Sequence, residues 1–136
     1  MKIYVLDASV VLTFLLGENE MTKGKVTTLL RRVSKKKIKL YSSFLLPLEV
    51  GNGLRYTLKD QELADEVLKI FLALPIEYFA FRQTHCQKIL QLSYTLRTSF
   101  YDTSYHFLAK LLKGTFVTCD AEYFKKAERL GNIKFF

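Results

Sequence analysis

The feature that most constrains the fold is an alternation between short apolar segments and longer segments with helical spacing. Short apolar or β-branched segments lie at 2–6, 38–42, 76–81, 115–120 and 133–136. Segments with helical spacing separate them, at 8–16, 20–36, 46–58, 60–73, 84–97, 99–113 and 121–130. Alternation of this kind is typical of βαβ units, in which consecutive strands run parallel and helices cover the sheet. The sequence therefore predicts an α/β fold: a three-layer α/β/α sandwich around a mostly parallel sheet of about five strands.

Residues that start or stop helices support these limits. Gly17 and Gly114 follow helical segments and are typical of helix C-termini. Helix N-caps are predicted at three positions, Asp60, Thr84 and Ser99. The chain has 136 residues and contains no internal repeat and no linker rich in proline, glycine or serine. We therefore expect one domain over residues 1–136.

Composition excludes several classes of protein. Hydrophobic residues make up 49% of the chain, enough for a substantial core, so disorder is not expected. No stretch reaches the roughly 20 apolar residues of a membrane span, and the N-terminus lacks the basic start of a signal peptide. Cys86 and Cys119 have neither the spacing of a metal site nor that of a disulfide framework. We expect free thiols in a cytoplasmic protein without membrane contact.

The positive charge is concentrated in one segment. Residues 23–39 contain eight lysines and arginines and no acidic residue, which accounts for the whole formal net charge of +8. A surface of this kind attracts polyanions, so a nucleic acid is a natural partner. A solvated helix face explains the same charges equally well.

Four carboxylates lie in apolar or uncharged surroundings. Asp7 and Asp120 follow apolar strands, and Glu49 and Asp102 lie near the starts of helices. Singly, each has a structural explanation, as a helix cap, a favourable charge at a helix start or a surface acid. In parallel sheets, however, ligands bind beyond the carboxyl ends of the strands, where all four should meet. A self-repelling cluster of oxygen ligands favours a divalent cation, Mg²⁺ or Mn²⁺ rather than Zn²⁺.

At these four acids the chain resembles the PIN-domain ribonucleases, in particular the VapC-type toxins of prokaryotic type II toxin–antitoxin pairs. Four segments resemble the motifs of that family in the same order: "YVLDASVV", "PLEVGNGL", "FYDTSYHFLA" and "FVTCDAEYF". Each motif alone has low specificity, but four in order across nearly the whole chain are a specific signal. The second motif departs mildly from the family, because Gly51 and Gly53 flank Asn52 and weaken a helix.

The resemblance implies a metal-dependent endoribonuclease. Asp7, Glu49, Asp102 and Asp120 would be the catalytic residues and would bind one or two Mg²⁺ or Mn²⁺ ions, which activate a water for phosphodiester hydrolysis. Around these metal ligands, the hydroxyls of Ser9 and Thr118 would supply hydrogen bonds, and Asn52 would fix the helix that carries Glu49.

The resemblance also implies partners and products. In the family, the products carry a 5′-phosphate and a 3′-hydroxyl, the substrates are often structured RNA such as tRNA or rRNA, a small antitoxin blocks the site, and homodimers are common. The basic segment supplies the residues that we expect to contact RNA, namely Arg31, Arg32, Lys35, Lys36 and Lys37. The sequence names neither the RNA nor the antitoxin, and leaves one metal ion or two open.

Other protein classes fit less well. A receiver domain needs an acidic pair after the first strand and a lysine where this chain has Asp120, and a haloacid dehalogenase phosphatase needs D-x-D, where position 9 is serine. No P-loop or dinucleotide-binding glycine motif is present. His85, Cys86 and His106 lack zinc-ligand spacing, and His106 is expected to pack or face solvent. Two alternatives remain open: a PIN nuclease of RNA processing without an antitoxin, and a non-catalytic PIN module that binds RNA or a protein.

Overall fold

The computed structural model, which describes all 136 residues, contains one five-stranded sheet in the order β3-β2-β1-β4-β5. Every neighbouring pair of strands is parallel. The strands are β1 (Lys2–Leu6), β2 (Ile38–Ser43), β3 (Ile76–Phe79), β4 (Thr115–Thr118) and β5 (Ile133–Phe135). The predicted α/β sandwich around a parallel sheet of about five strands is therefore confirmed.

Seven helices connect the strands: α1 (Ala8–Leu16), α2 (Glu20–Ser34), α3 (Leu46–Thr57), α4 (Gln61–Leu72), α5 (Gln83–Leu96), α6 (Phe100–Leu111) and α7 (Ala121–Ala127). Right-handed crossovers place α1 to α4 on one face of the sheet and α5 to α7 on the other. On the second face, α6 packs over the central strands β1, β2 and β4. None of these helices combines the length and the apolar character needed to cross a membrane.

The helix ends agree with the predicted caps at all but one position. Asp60 accepts a hydrogen bond from the backbone N–H of Glu62, and Ser99 accepts one from that of Asp102. The N-cap predicted at Thr84 is wrong, because α5 begins earlier, with Arg82 as its N-cap residue. There the ring of His85 accepts a hydrogen bond from the Arg82 N–H and supplies the capping acceptor.

Three strands are shorter than predicted: β5 by one residue, and β3 and β4 by two residues each, for local reasons. The end of β3 is at Phe79, opposite the last residue of β2, so Ala80 and Phe81 have no strand to pair with. The end of β4 is at Thr118, whose hydroxyl accepts a hydrogen bond from the N–H of Asp120 and so closes a turn. The helix predicted over 121–130 is α7 followed by a short 3₁₀ turn, Glu128–Leu130.

The core lies where the central strands meet α1, α3 and α6. Val5 of β1 pairs with Phe116 of β4, and both are fully buried. Helices α1 and α3 approach closely at Gly53, where a Cβ atom would lie 2.4 Å from the Cδ1 atom of Leu12. The helix weakness expected from that glycine is therefore linked to close packing, whereas a Cβ atom at Gly51 would meet nothing within 4 Å.

Candidate active site

The structure brings the four predicted carboxylates to the carboxyl edge of the sheet. Asp7 caps α1 directly after β1, and Asp120 caps α7 two residues after β4. Glu49 and Asp102 lie in the first turns of α3 and α6. Their charges affect one another: after burial, the charge of Asp102 contributes to the raised pKa of both Asp7 and Glu49, and that of Asp120 contributes to the raised pKa of Asp102. Asp102 is therefore electrostatically coupled to each of the other three acids.

Asp7 is the most buried of the four, with only 5% of its surface exposed. Its Oδ1 atom accepts hydrogen bonds from the Ser9 hydroxyl at 2.6 Å and the Val10 N–H at 3.0 Å. Its Oδ2 atom accepts one from the Thr118 hydroxyl at 2.6 Å. These bonds fix the orientation of the carboxylate, and the apolar strand before it keeps it out of water.

The two hydroxyls around Asp7 also hold the segment that leads to Asp120. Since Ser9 and Thr118 each use their single proton on Asp7, their oxygens are free to accept. The Ser9 oxygen accepts from the N–H of Cys119 at 2.9 Å, and the Thr118 oxygen accepts from the N–H of Asp120 at 3.0 Å. Both of these predicted hydrogen-bonding residues therefore lie between two of the acids and link them.

Glu49 is held by a residue that the sequence did not single out for this position. The hydroxyl of Tyr105, a fully buried residue of α6, donates to the Glu49 Oε1 atom at 2.9 Å. Asn52, predicted to fix the helix of Glu49, is exposed to solvent and makes no side-chain hydrogen bond. The available signal was spacing: Tyr105 follows Asp102 by three residues, and two such residues share a helix face.

Asp120 is positioned with the help of two residues that were not predicted, Tyr123 and His106. The Asp120 Oδ1 atom accepts from the Tyr123 N–H at 2.9 Å. The Tyr123 hydroxyl meets the Nδ1 atom of His106 at 2.9 Å, and the Nε2 atom of His106 lies 2.7 Å from the carbonyl of Gly131. Because a carbonyl only accepts, Nε2 carries the ring proton, and Nδ1 accepts from Tyr123. Burial lowers the pKa of His106, in agreement with this neutral form, so the histidine packs as expected.

A small cleft of about 150 Å³ opens beside two of the acids. Its lining includes Asp102, Asp120, Ser99, Arg97 and Lys126. A much larger cleft, about 1040 Å³, lies elsewhere, between α3 and α4, and contains none of the four carboxylates. Cleft size therefore does not point to the four acids, whose common feature is their position at the carboxyl edge of the sheet.

The four acids carry their charge without a basic partner. Burial raises the pKa of Asp7 to about 6, and burial also raises the pKa values of Glu49 and Asp102. The ion pairs of the chain are Lys69 with Asp65 and Lys126 with Glu122, and neither involves one of the four. None of the four acids therefore forms an ion pair, although Arg97 and Lys126 line the same cleft as Asp102 and Asp120.

Divalent cations suit this set of donors by their chemistry. The four side chains offer only carboxylate oxygens, which are the ligands that Mg²⁺ and Mn²⁺ prefer. No three of these side chains converge closely enough to form a finished metal site. The residues fit a hard cation in type and charge, and binding one would require Glu49 and Asp102, both partly exposed, to turn towards a common point.

Comparison with protein families identifies the domain. The model of the PIN domain matches residues 4–130. The chain belongs to the PIN-domain family. The predicted resemblance is therefore confirmed, and the nuclease character of that family agrees with the acids described above. Comparison with curated proteins gives no match.

Solved structures of VapC-type toxins share the fold of this PIN domain. VapBC2 from Rickettsia felis, bound to a promoter DNA fragment, superposes with a TM-score of 0.74 over 98% of both chains at 17% identity. DNA-bound VapBC from Salmonella typhimurium superposes with a TM-score of 0.71 at 16% identity, over 100% of this chain and 98% of the other. VapC20 from Mycobacterium tuberculosis is described as a sarcin–ricin loop cleaving toxin. It superposes with a TM-score of 0.61 at 12% identity, over 88% of this chain and 92% of the other. At such identities, the likeness establishes the fold.

The predicted RNA-contacting residues of this PIN domain lie at the C-terminal end of α2 and in the turn that follows it. Arg31 is exposed on α2, and Arg32 is half-buried against the ring of Tyr4. The other three, Lys35, Lys36 and Lys37, form the turn between α2 and β2. That turn precedes a strand, so it lies at the amino edge of the sheet, opposite the carboxylates.

Proposed function

We propose that this PIN domain is a metal-dependent endoribonuclease that acts as the toxin of a toxin–antitoxin pair. The observation that carries the proposal is the coupling of Asp102 to three other acids with no basic partner. A cluster of this kind, at the ligand-binding edge of a parallel sheet, suits phosphodiester hydrolysis with a divalent cation.

Each carboxylate has a distinct part in the proposed reaction. Asp7, fixed by three hydrogen bonds, is the most rigid ligand and orients the others. Asp120 and Asp102 border the cleft in which the phosphate would lie. Glu49 accepts the Tyr105 hydrogen bond on Oε1, so its Oε2 atom is free to help hold the cation.

The cofactor that we propose is Mg²⁺ or Mn²⁺, one or two ions, held by Asp7, Glu49, Asp102 and Asp120. When bound, such a cation supplies Lewis acidity and a more acidic water. It would also offset the charge that keeps the four acids mutually repelling. The hydroxyls of the residues at positions 9 and 118 would keep the carboxylate of Asp7 in a ligating orientation.

The proposed partners follow from charge and from the fold relatives. The basic residues Arg31, Arg32, Lys35, Lys36 and Lys37 would attract RNA over a Debye length. A structured RNA, such as tRNA or rRNA, is supported by the Mycobacterium tuberculosis fold relative, described as cleaving the sarcin–ricin loop. A small antitoxin is supported by the fold relatives that are VapBC complexes. We propose a homodimer acting in the cytoplasm, where Cys86 and Cys119 remain free thiols.

Cleavage assays with purified protein test the enzyme directly. RNA from a panel that includes tRNA and rRNA is incubated with Mn²⁺, with Mg²⁺, or with EDTA. The expected result is cleavage that EDTA abolishes and that yields 5′-phosphate ends. Asp7→Asn and Asp102→Asn should each reduce the rate by about a hundredfold or more, since each removes a charge that holds the cation.

Asp65→Asn is a matched control, because it changes the same group on the exposed surface of α4, where Asp65 pairs with Lys69. If RNA stays intact with both metals, or if Asp7→Asn protein cleaves as fast as the unsubstituted chain, the enzyme proposal is wrong and a non-catalytic module remains. A small protein encoded beside this chain, if it binds the purified protein and suppresses cleavage, would support the toxin. Sedimentation at several concentrations tests the homodimer.

A further inference from the structure

A second basic feature lies between α2 and the C-terminal residues of the chain. A groove of about 530 Å³ runs between α2 and the edge strand β5, and we call it the α2–β5 groove. Its main lining residues are Tyr4, Met21, Lys25, Arg32, Lys134 and Phe136. Three of these are cations, and no acidic side chain lines the groove.

Aromatic rings hold two of these cations in place without neutralising them. The Nζ atom of Lys25 lies 5.3 Å from the centre of the Phe136 ring. The guanidinium of Arg32 lies 5.7 Å from the centre of the Tyr4 ring, and its Nη1 atom donates to the Tyr4 hydroxyl at 3.5 Å. Contacts of this type orient a cation and leave its charge available. The groove therefore presents positioned positive charge to an anionic ligand.

One end of the α2–β5 groove reaches the carboxylate edge. The N–H of Phe136 donates to the carbonyl of Thr118 at 2.9 Å, and the thiol of Cys119 lies 3.5 Å from the carbonyl of Phe136. The N–H of Cys119 in turn donates to the Ser9 hydroxyl, which donates to Asp7. A strand of nucleic acid lying across the acids would therefore meet this groove next.

We propose that the α2–β5 groove binds the phosphate backbone of the RNA substrate beside the bond that is cleaved. Lys25, Arg32 and Lys134 contact neighbouring phosphates and offset the repulsion between RNA and the carboxylates. This inference rests on the proposed ribonuclease function. The groove charges alone would also attract an acidic peptide, but continuity with the carboxylate edge favours the substrate, because the substrate must cross that edge.

Binding measurements without cleavage test the groove. The parent protein is Asp7→Asn, so that RNA stays intact, and the groove variant adds Lys25→Gln, Arg32→Gln and Lys134→Gln. The Kd for a fluorescent single-stranded RNA of mixed sequence is measured over a range of salt concentrations. Loss of three phosphate contacts should reduce the slope of log Kd against log salt by about 2, with a fall in affinity of at least about tenfold at low salt.

A matched variant carries the same charge change in the turn after α2, outside the groove. This turn variant adds Lys35→Gln, Lys36→Gln and Lys37→Gln to the Asp7→Asn parent, and its slope should change by clearly less than that of the groove variant. If the two variants change the slope equally, or if the groove variant keeps the parent slope, the groove proposal is wrong. Lys134→Gln alone, on the exposed edge strand, replaces the groove variant if that variant fails to fold, and should reduce the slope by about 0.7.

The two proposals fail separately in these experiments. A chain that cleaves no RNA with either metal, but binds RNA through the groove, would overturn the ribonuclease and leave an RNA-binding module. If the chain cleaves RNA, but its affinity for RNA does not depend on the groove charges, only the groove proposal is wrong.

Discussion

Replacing Asp7 by asparagine should stabilise the metal-free protein near neutral pH. Burial raises the pKa of Asp7 from 3.8 to about 6. The folded state therefore holds the proton more tightly than the unfolded state, so stability falls as the pH rises from about 4 to above 6. At pH 7 this difference in pKa corresponds to about 3 kcal/mol of destabilisation by the charged carboxylate. Asparagine cannot ionise, so the variant does not carry that cost.

The rearranged hydrogen bonds of the variant reduce the expected gain. The Oδ1 atom of asparagine can still accept from Ser9 and Val10. Its Nδ2 atom must donate to the Thr118 oxygen, so the Thr118 proton must turn to the Ser9 oxygen at 3.2 Å. We assign about 1 kcal/mol to this weaker arrangement. The net gain for Asp7→Asn is therefore about 2 kcal/mol near pH 7, or about 6 °C in Tm for a domain of this size.

Urea unfolding in EDTA at about pH 4.5 and about pH 7.5 measures this gain. Asp7→Asn should be more stable than the unsubstituted protein at the higher pH, and equal to it or slightly less stable at the lower. Asp60→Asn is the control, because it makes the same change at an exposed helix cap and should shift stability by less than about 0.5 kcal/mol. If Asp7→Asn is destabilised by the same amount at both pH values, Asp7 is only a structural cap and the reasoning from its burial is wrong.

Three further changes test the contacts around the site. Tyr105→Phe removes the donor to Glu49 and should lower cleavage about tenfold at limiting Mn²⁺, with partial recovery at high Mn²⁺, in RNA assays at several metal concentrations. Tyr123→Phe leaves the buried Nδ1 atom of His106 without a donor and should destabilise the protein by about 1–3 kcal/mol in urea unfolding. Gly51→Ala adds a methyl group where nothing lies within 4 Å and should raise the free energy of unfolding by about 0.5–1 kcal/mol.

Much of the fold could be predicted from the sequence, because its signals are local. The start of α1 at Ala8 and its end before Gly17 follow from an aspartate cap and a glycine with φ of 64°. The end of β3 could not be predicted in this way, because "FAF" has strand character through Phe81. What ends that strand is the length of its neighbour β2, a tertiary property.

The candidate site likewise combines features that the local sequence predicts with contacts that depend on tertiary packing. The edge of the sheet at which the acids meet follows from strand order and apolar runs, so Asp7, Glu49, Asp102 and Asp120 could be named beforehand. The contact between Tyr105 and Glu49 depends on how α6 packs against α3 across the end of the sheet. The spacing of three residues predicts that Tyr105 shares a helix face with Asp102, but it does not say which other helix that face will meet.

The charge of Asp102 affects more of the four acids than that of any other member. Asp102 contributes to the raised pKa of both Asp7 and Glu49, after burial in each case, and is itself affected by Asp120. A positive charge placed beside Asp102 therefore relieves repulsion with both Asp7 and Glu49, whereas one placed beside Glu49 acts mainly on its coupling to Asp102. It follows that Asp102→Asn should lower the pKa of Asp7 slightly, because burial remains the main cause of its raised value, while Glu49→Gln should leave it unchanged. Measuring the carboxyl titration of Asp7 by NMR in the two metal-free variants distinguishes a network centred on Asp102 from four independent acids, because independent acids would respond equally to both substitutions.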